Sequence, residues 1–161
     1  MKIVVTGANG FIGKNLCINL LECGQYDVLK VYHETPEEVL LSYLSQADFI
    51  FHLAGINRPQ NPSQFVEGNV DLTRIIVDAL KKFDRNVPIA FSSSTQATQD
   101  NLYGQSKLAA EEVIQNYSAS TGSLHYIYRL PNVFGKWCKP NYNSFIATFC
   151  NNVMKGSEIS I

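Results

Sequence analysis

Tyr103 and Lys107 stand four positions apart in the run Tyr103-Gly104-Gln105-Ser106-Lys107. On a helix that spacing puts a phenol and an ammonium on one face, a turn apart. A phenol ordinarily holds its proton up to about pH 10. A neighbouring cation stabilises the phenolate and brings that value towards the range where proton transfer is useful. Gly104 leaves room for another group to approach the backbone beside Tyr103. Ser94 ends the triplet Ser92-Ser93-Ser94. It lies just past an expected strand, where open α/β sheets hold ligands. Its hydroxyl is suited to holding a carbonyl oxygen. By itself a Tyr and Lys pair at this spacing is only a surface contact, worth about 0.2–0.5 kcal/mol. The serine triplet and a glycine loop at the N-terminus give it weight.

That loop is Thr6-Gly7-Ala8-Asn9-Gly10-Phe11-Ile12-Gly13. It follows a β-branched run and opens a helical one. Gly7 suits the tight turn, Gly10 the approach of a pyrophosphate, and Gly13 close packing of helix on strand. The N–H groups of the first helical turn, through Phe11 and Ile12, face the phosphates. The cofactor type is read at the end of the second strand, Tyr32-His33-Glu34. His33, with Lys14 adding charge, suits the 2′-phosphate of NADP. Glu34 suits the free ribose hydroxyl of NAD. The reading favours NADP and keeps NAD as the alternative; an ordinary exposed loop histidine accounts for His33 equally well.

The elements that must position these residues alternate along the chain. Strands are expected over 2–6, 28–32, 48–53, 88–92 and 124–129, with a strand-like end at 158–161. Helices are expected over 11–23, 36–46, 63–82, 103–117 and 142–154. Thr35 is the expected cap of the second helix, with Pro36 at its first position. Ser63 is the expected cap of the third, whose inward stripe is Val66, Val70, Thr73, Val77 and Leu80. Asn69 falls inside that stripe. The alternation predicts an α/β fold: a Rossmann-like, doubly wound parallel sheet with helices on both faces.

Composition narrows the function classes. The chain has 161 residues, 45% hydrophobic and 17% charged, with net charge −1. That is one domain's worth of chain with a core. The charge balance gives no reason to expect nucleic acid or an anionic membrane. No apolar stretch reaches the roughly 18 residues of a membrane span. The apolar start is too short for a signal peptide, so a cytoplasmic protein is expected. Cys17, Cys23, Cys138 and Cys150 form no CxxC pair, and no histidine spacing suggests a metal. Buried or half-buried free thiols are expected.

These motifs resemble the extended short-chain dehydrogenase/reductase family, in the order TGANGFIG, HLAG (52–55), EGNVDLT (67–73), SSS (92–94), YGQSK (103–107) and RLPNVFG (129–135). Within it, SSSTQATQDNLYGQSK and NVFGKWCKPNYNSFIATFC are similar to reductases of capsular and O-antigen sugar synthesis. The resemblance implies NADPH-dependent reduction, at C4, of a UDP-linked 4-keto-6-deoxy-N-acetylhexosamine on the route to N-acetyl-L-fucosamine. It implies Tyr103 as catalytic acid, Lys107 lowering its pKa and holding the nicotinamide ribose, and Ser94 holding the substrate carbonyl. Gly7, Gly10 and Gly13 would hold the pyrophosphate. Leu53, Ala54 and Gly55 would line the cofactor cleft, and Asn132 would lie near substrate or nicotinamide. Asn69 would be a buried amide tying its helix to the sheet. Related enzymes dimerise through helices equivalent to 63–82 and 103–117, and Ile75, Ile76 and Val113 are the expected contacts of such a homodimer.

The pattern departs from the family's in two places. One β-α unit is missing between the second strand and HLAG. The family also continues beyond residue 161, with a segment closing over the nucleotide-sugar and, in the reductase group, a cupin domain. A C-terminally truncated NAD(P)-binding domain is therefore expected. Two rival functions remain. One is a nucleotide-sugar epimerase or 4,6-dehydratase, the latter disfavoured because Thr95 and Gln96, not an acid, follow Ser94. The other is a nonenzymatic dinucleotide-sensing module, which need not keep Ser94, Tyr103 and Lys107 together.

Overall fold

A computed structural model describes residues 1–159. Its five strands are β1 (Lys2–Thr6), β2 (Asp27–Val31), β3 (Phe49–His52), β4 (Ile89–Ser94) and β5 (His125–Leu130), in the sheet order β2-β1-β3-β4-β5. β1 pairs in parallel with β2 and with β3, and β3 in parallel with β4. The strand order reverses direction between β1 and β3, which opens a crevice at the carboxyl ends of those two strands. The missing β-α unit is visible as the bare edge of β2: a single helix, α2 (Glu37–Ser45), links it to β3.

Two apolar layers follow from strand alternation. Ile3 and Val5, with Phe49 and Phe51, pack against Leu16, Cys17 and Leu20 of α1 (Phe11–Glu22). Val4, Ile50, Ile89 and Phe91 face the other way. They pack with Leu40 and Leu44 of α2, Ile76, Val77 and Leu80 of α4 (Leu72–Lys82), and Ala110, Ile114 and Tyr117 of α5 (Leu102–Thr121). Helices thus cover both faces. By contact density the chain forms two compact units, one ending at Arg129 and one beginning at Leu130. The second carries α6 (Phe145–Lys155), capped by Ser144 and closed by Gly156.

The expected helix 63–82 is three pieces: α3 (Ser63–Phe65), a π-helical stretch over Val66–Asp71, and α4. Ser63 caps nothing; Pro62 occupies that position. The wider π turn rotates Val66 off the stripe, leaving it 50% exposed, while Val70, Thr73, Val77 and Leu80 stay buried. Ile76 is core rather than surface, Val113 is half-buried against the core, and Ile75 is exposed. Thr35 does not cap α2 either. Pro36 sits at the cap, and Thr35 Oγ1 instead accepts a hydrogen bond from Tyr32 N at 2.8 Å, closing the turn after β2. Glu158 and Ile159 form no strand, and the rest of the expected strand 158–161 lies outside the described residues. All four thiols are free, but Cys23 and Cys150 are exposed rather than buried.

Candidate active site

β4 delivers Ser94 to the carboxyl edge of the sheet, and α5 begins eight residues later. Asn101 caps α5, its side-chain oxygen accepting from Gly104 N at 2.8 Å. At the other end the buried Tyr117 hydroxyl accepts from Val87 N at 2.9 Å and donates to Arg85 O at 2.9 Å. Tyr117 thereby ties the C-terminal end of α5 to the segment that leads into β4. The group that approaches beside Tyr103 is the Thr95–Thr98 turn. A Cβ at Gly104 would overlap the Gln96 carbonyl oxygen and stand 2.9 Å from that of Gln99. Gly104→Ala should therefore push α5 off this turn and cost about 1–3 kcal/mol. Thermal unfolding of the purified variant checks this.

Tyr103 is half-buried, its ring 5.9 Å from that of Phe65. Burial pushes the phenol's pKa up, and a hydrogen bond with the Ser94 side chain pulls it back in part. The lowering expected from Lys107 does not emerge: in the free protein the net shift is upward. Lys107 is only 3% exposed, with its ammonium 4.2 Å from the centre of the Phe91 ring. Burial drives its pKa down to about 8, opposed by the negative charge of Glu111. Glu111, 1% exposed, accepts from Arg129 Nη2 at 2.6 Å and from the Ser93 hydroxyl. Burial works to raise its carboxyl, but those hydrogen bonds and the charges of Arg129 and Lys107 outweigh it and hold the pKa low. Glu111, Ser93 and Arg129 were not picked out from sequence. The only trace was the four-residue step from Lys107 to Glu111 along one helix face.

The glycine loop has the geometry its spacing promises. Gly7 has φ +67°, and a Cβ there would stand 2.7 Å from Ala54 N. A Cβ at Gly13 would overlap Gly7 O and come within 2.9 Å of Ala8 Cα, so only glycine lets α1 seat on the loop. Gly10 differs: a Cβ there would meet nothing but Gly7 O, at 3.1 Å, so its open side faces away from the protein. Gly10 is also the N-cap of α1 and supplies no capping side chain, which leaves the first-turn N–H groups of Phe11, Ile12 and Gly13 for a ligand. These features fit a dinucleotide pyrophosphate. Leu53, Ala54 and Gly55 form the wall beside Gly7, and a Cβ at Gly55 would stand 2.8 Å from Asn69 Oδ1 and 3.5 Å from Lys107 Nζ. The wall thus joins the glycine loop to the lysine. His33 is exposed in the turn after β2, whose last residue, Val31, accepts from Ala8 N of the loop.

Asn132 belongs to the second unit, where its side-chain amide donates to Asn143 O at 2.7 Å and accepts from Phe145 N at 3.2 Å. Both ends of the side chain are committed to the start of α6. Among the described residues no three His, Cys, Asp or Glu side chains gather as a metal set, and no helix is long and apolar enough to cross a membrane.

The sequence pattern of the NAD dependent epimerase/dehydratase family matches residues 3–161. The chain belongs to this family. It is 48% identical, over its whole length, to UDP-2-acetamido-2,6-β-L-arabino-hexul-4-ose reductase of Pseudomonas aeruginosa, of which it spans 43%. A crystal structure of the capsular polysaccharide assembling protein CapF from Staphylococcus aureus is 49% identical with TM-score 0.86, covering 100% of this chain and 44% of that one. UDP-glucuronic acid 4-epimerase from Bacillus cereus in complex with NAD shares the fold at TM-score 0.85 and 20% identity, over 100% of this chain and 66% of that one. The chain spans less than half the length of its two more similar relatives.

Proposed function

We propose that this chain is the dinucleotide-holding and proton-donating part of a reductase. Its substrate is a UDP-linked 4-keto-6-deoxy-N-acetylhexosamine, its reductant is NADPH, and its role lies in capsular or O-antigen polysaccharide synthesis. The observation that carries the reading is the meeting of Ser94 and Tyr103 at one sheet edge, with Lys107 one turn further along α5. The 48% identity to a UDP-4-keto-sugar reductase supports the substrate class.

NADPH, when bound, supplies the hydride that reaches the C4 carbonyl carbon. The chain's residues do the rest. Gly7, Gly10 and the first turn of α1 hold the pyrophosphate. The wall Leu53-Ala54-Gly55 sets the depth of the cleft, and Lys107 holds the nicotinamide ribose. Ser94 and Tyr103 hold the carbonyl oxygen as negative charge develops on it. The Tyr103 hydroxyl breaks its O–H bond and delivers the proton to that oxygen, leaving a C4 hydroxyl. The phenol carries its proton at neutral pH, and a cation held close to it would offset the upward push of burial as the proton leaves.

Two finer points belong to the same proposal. His33 approaches the 2′-phosphate of NADP, so His33→Ala should weaken NADPH about threefold to tenfold and leave NADH unchanged, as read by fluorescence titration. The native protein is cytoplasmic and pairs with a second copy through α4 and α5, where Ile75 and Leu108 are exposed. Light scattering that gives only monomer at high protein concentration would remove the dimer. The reaction itself is tested by offering a panel of UDP-keto-sugars to the native full-length protein with NADPH and with NADH. Oxidation of NADPH that depends on the 4-keto-6-deoxy-N-acetyl sugar is the expected result. A sugar isomerised without net oxidation of cofactor would overturn it.

A further inference from the structure

His52 is the strongest buried polar group that this chemistry leaves unused. It is 1% exposed at the end of β3, paired in register with Thr6 on one side and Phe91 on the other. Register partners on adjacent strands share a face, and all three side chains meet. Thr6 Oγ1 lies 2.7 Å from His52 Nδ1, and the imidazole stacks on the Phe91 ring at 5.3 Å. On the far side His52 Nε2 lies 2.9 Å from Thr73 Oγ1 of α4.

The proton positions follow from the ends of this chain. Thr73 donates its hydroxyl proton to Asn69 O at 2.7 Å, a carbonyl that can only accept. Thr73 Oγ1 must therefore accept from His52 Nε2–H. A neutral imidazole then offers a lone pair at Nδ1, and Thr6 donates to it. Thr6 Oγ1 in turn accepts from Leu53 N at 3.2 Å and Ala54 N at 3.1 Å. Every proton and lone pair along the run is used. An imidazolium would set a second N–H against Thr6 Oγ1, which already takes two. Burial, and then the charge of Lys107, the cation facing it from α5, push the His52 pKa down to about 3.

The run continues beyond Asn69. Its side chain accepts from Ile56 N and donates to Ile56 O, each at 2.9 Å, and donates to Ser106 Oγ at 2.9 Å. Ser106 donates to the Tyr103 carbonyl at 2.8 Å. We infer that His52, as the neutral Nε2–H tautomer, is a positioning residue: it holds the Leu53-Ala54 wall of the glycine loop in fixed register with the helices that carry Asn69, Ser106 and Tyr103. Its ligand-binding consequence rests on the dinucleotide reading; the hydrogen-bond chain does not.

The test uses two substitutions of opposite character. His52→Gln keeps one acceptor and one donor, spaced about as the ring nitrogens are. His52→Phe keeps the stack on Phe91 and has neither. Nitrogen-15 histidine spectra of the wild-type protein, assigned with His33→Asn and His125→Asn, should show His52 as Nε2–H and unchanged from pH 8 to pH 5. In folded His52→Phe the amide shifts of Leu53, Ala54 and Ser106 should move, and the Kd for NADPH should rise about tenfold, the loss of about one hydrogen bond. His52→Gln should return the amide shifts and bring Kd within about threefold of wild type. A merely structural histidine would lower stability in both variants and leave these signals in place. An imidazolium or an Nδ1–H tautomer at neutral pH, or wild-type amide shifts in His52→Phe, would overturn the inference. If the wild-type protein bound neither NADPH nor NADH, the dinucleotide reading would fall, and the three amide shifts alone would decide. Thr73→Val, a smaller change, must move the same amides if His52→Phe does not fold.

Discussion

Tyr103→Phe should cut turnover of the native full-length protein by about 10²–10⁴-fold and leave NADPH affinity within about threefold of wild type. The substitution keeps the ring, its contact with Phe65 and the helix around it, and removes only the hydroxyl that meets Ser94. If that hydroxyl is the acid, the hydride has nowhere to leave its charge. If it is a passive wall group, little changes. Stopped-flow oxidation of NADPH at saturating sugar, where chemistry is observed directly, is the measurement. Retention of more than about a tenth of wild-type rate would remove Tyr103 from the acid's role. Ser94→Ala should fall between these limits, since the phenol would remain but lose its partner.

Lys107→Met should make the protein more stable and nearly inactive. At neutral pH the lysine is a charge held in a pocket that is 3% exposed, and burial has pulled its pKa from 10.5 to about 8. A group whose charged form is disfavoured on folding costs stability wherever both folded and unfolded chains are protonated, which here means below about pH 8. Between pH 8 and pH 10.5 the folded chain releases the proton first, and the cost fades. Methionine fills the stem's space without the charge, so the variant should gain roughly 1–3 kcal/mol at pH 7. That gain should shrink as pH rises towards 10. Denaturant unfolding at several pH values measures it. NADPH affinity and turnover should both collapse, because the same ammonium is assigned to the ribose. A variant that lost stability at pH 7 would show that Glu111 and the Phe91 ring more than offset the lysine's burial.

Where the sequence was readable, the reason was local. Ile50 and Ile89 lie in short apolar runs with turn residues on either side, so the strands stood out. Gly122 and Gly156 adopt left-handed conformations that end their helices, φ +73° and +63°, which is what glycine at those positions signals. The π turn over Val66–Asp71 was hidden because its apolar residues keep helix-like steps of three and four. It coincides with contacts from the loop before the helical run: Ile56 on the Asn69 amide, and the Ile56 side chain 2.5 Å from where a Gly68 Cβ would stand. Ser94, Tyr103 and Lys107 could be proposed from spacing, but the direction of the Tyr103 pKa could not, since burial decided it. The His52 chain needed the pairing of Thr6 with His52 across β1 and β3, separated by 46 positions. No window of sequence contains both.

The proposed reaction moves a hydride from NADPH to a sugar carbonyl carbon and a proton from Tyr103 to its oxygen. It is tested most directly by giving the native full-length protein NADPH deuterated at the transferred position of C4 together with a UDP-2-acetamido-2,6-dideoxy-4-keto-hexose. One deuterium should appear on C4 of the product sugar for each NADPH oxidised, with the hydroxyl proton drawn from solvent. Product without deuterium, and cofactor returned unoxidised, would contradict it.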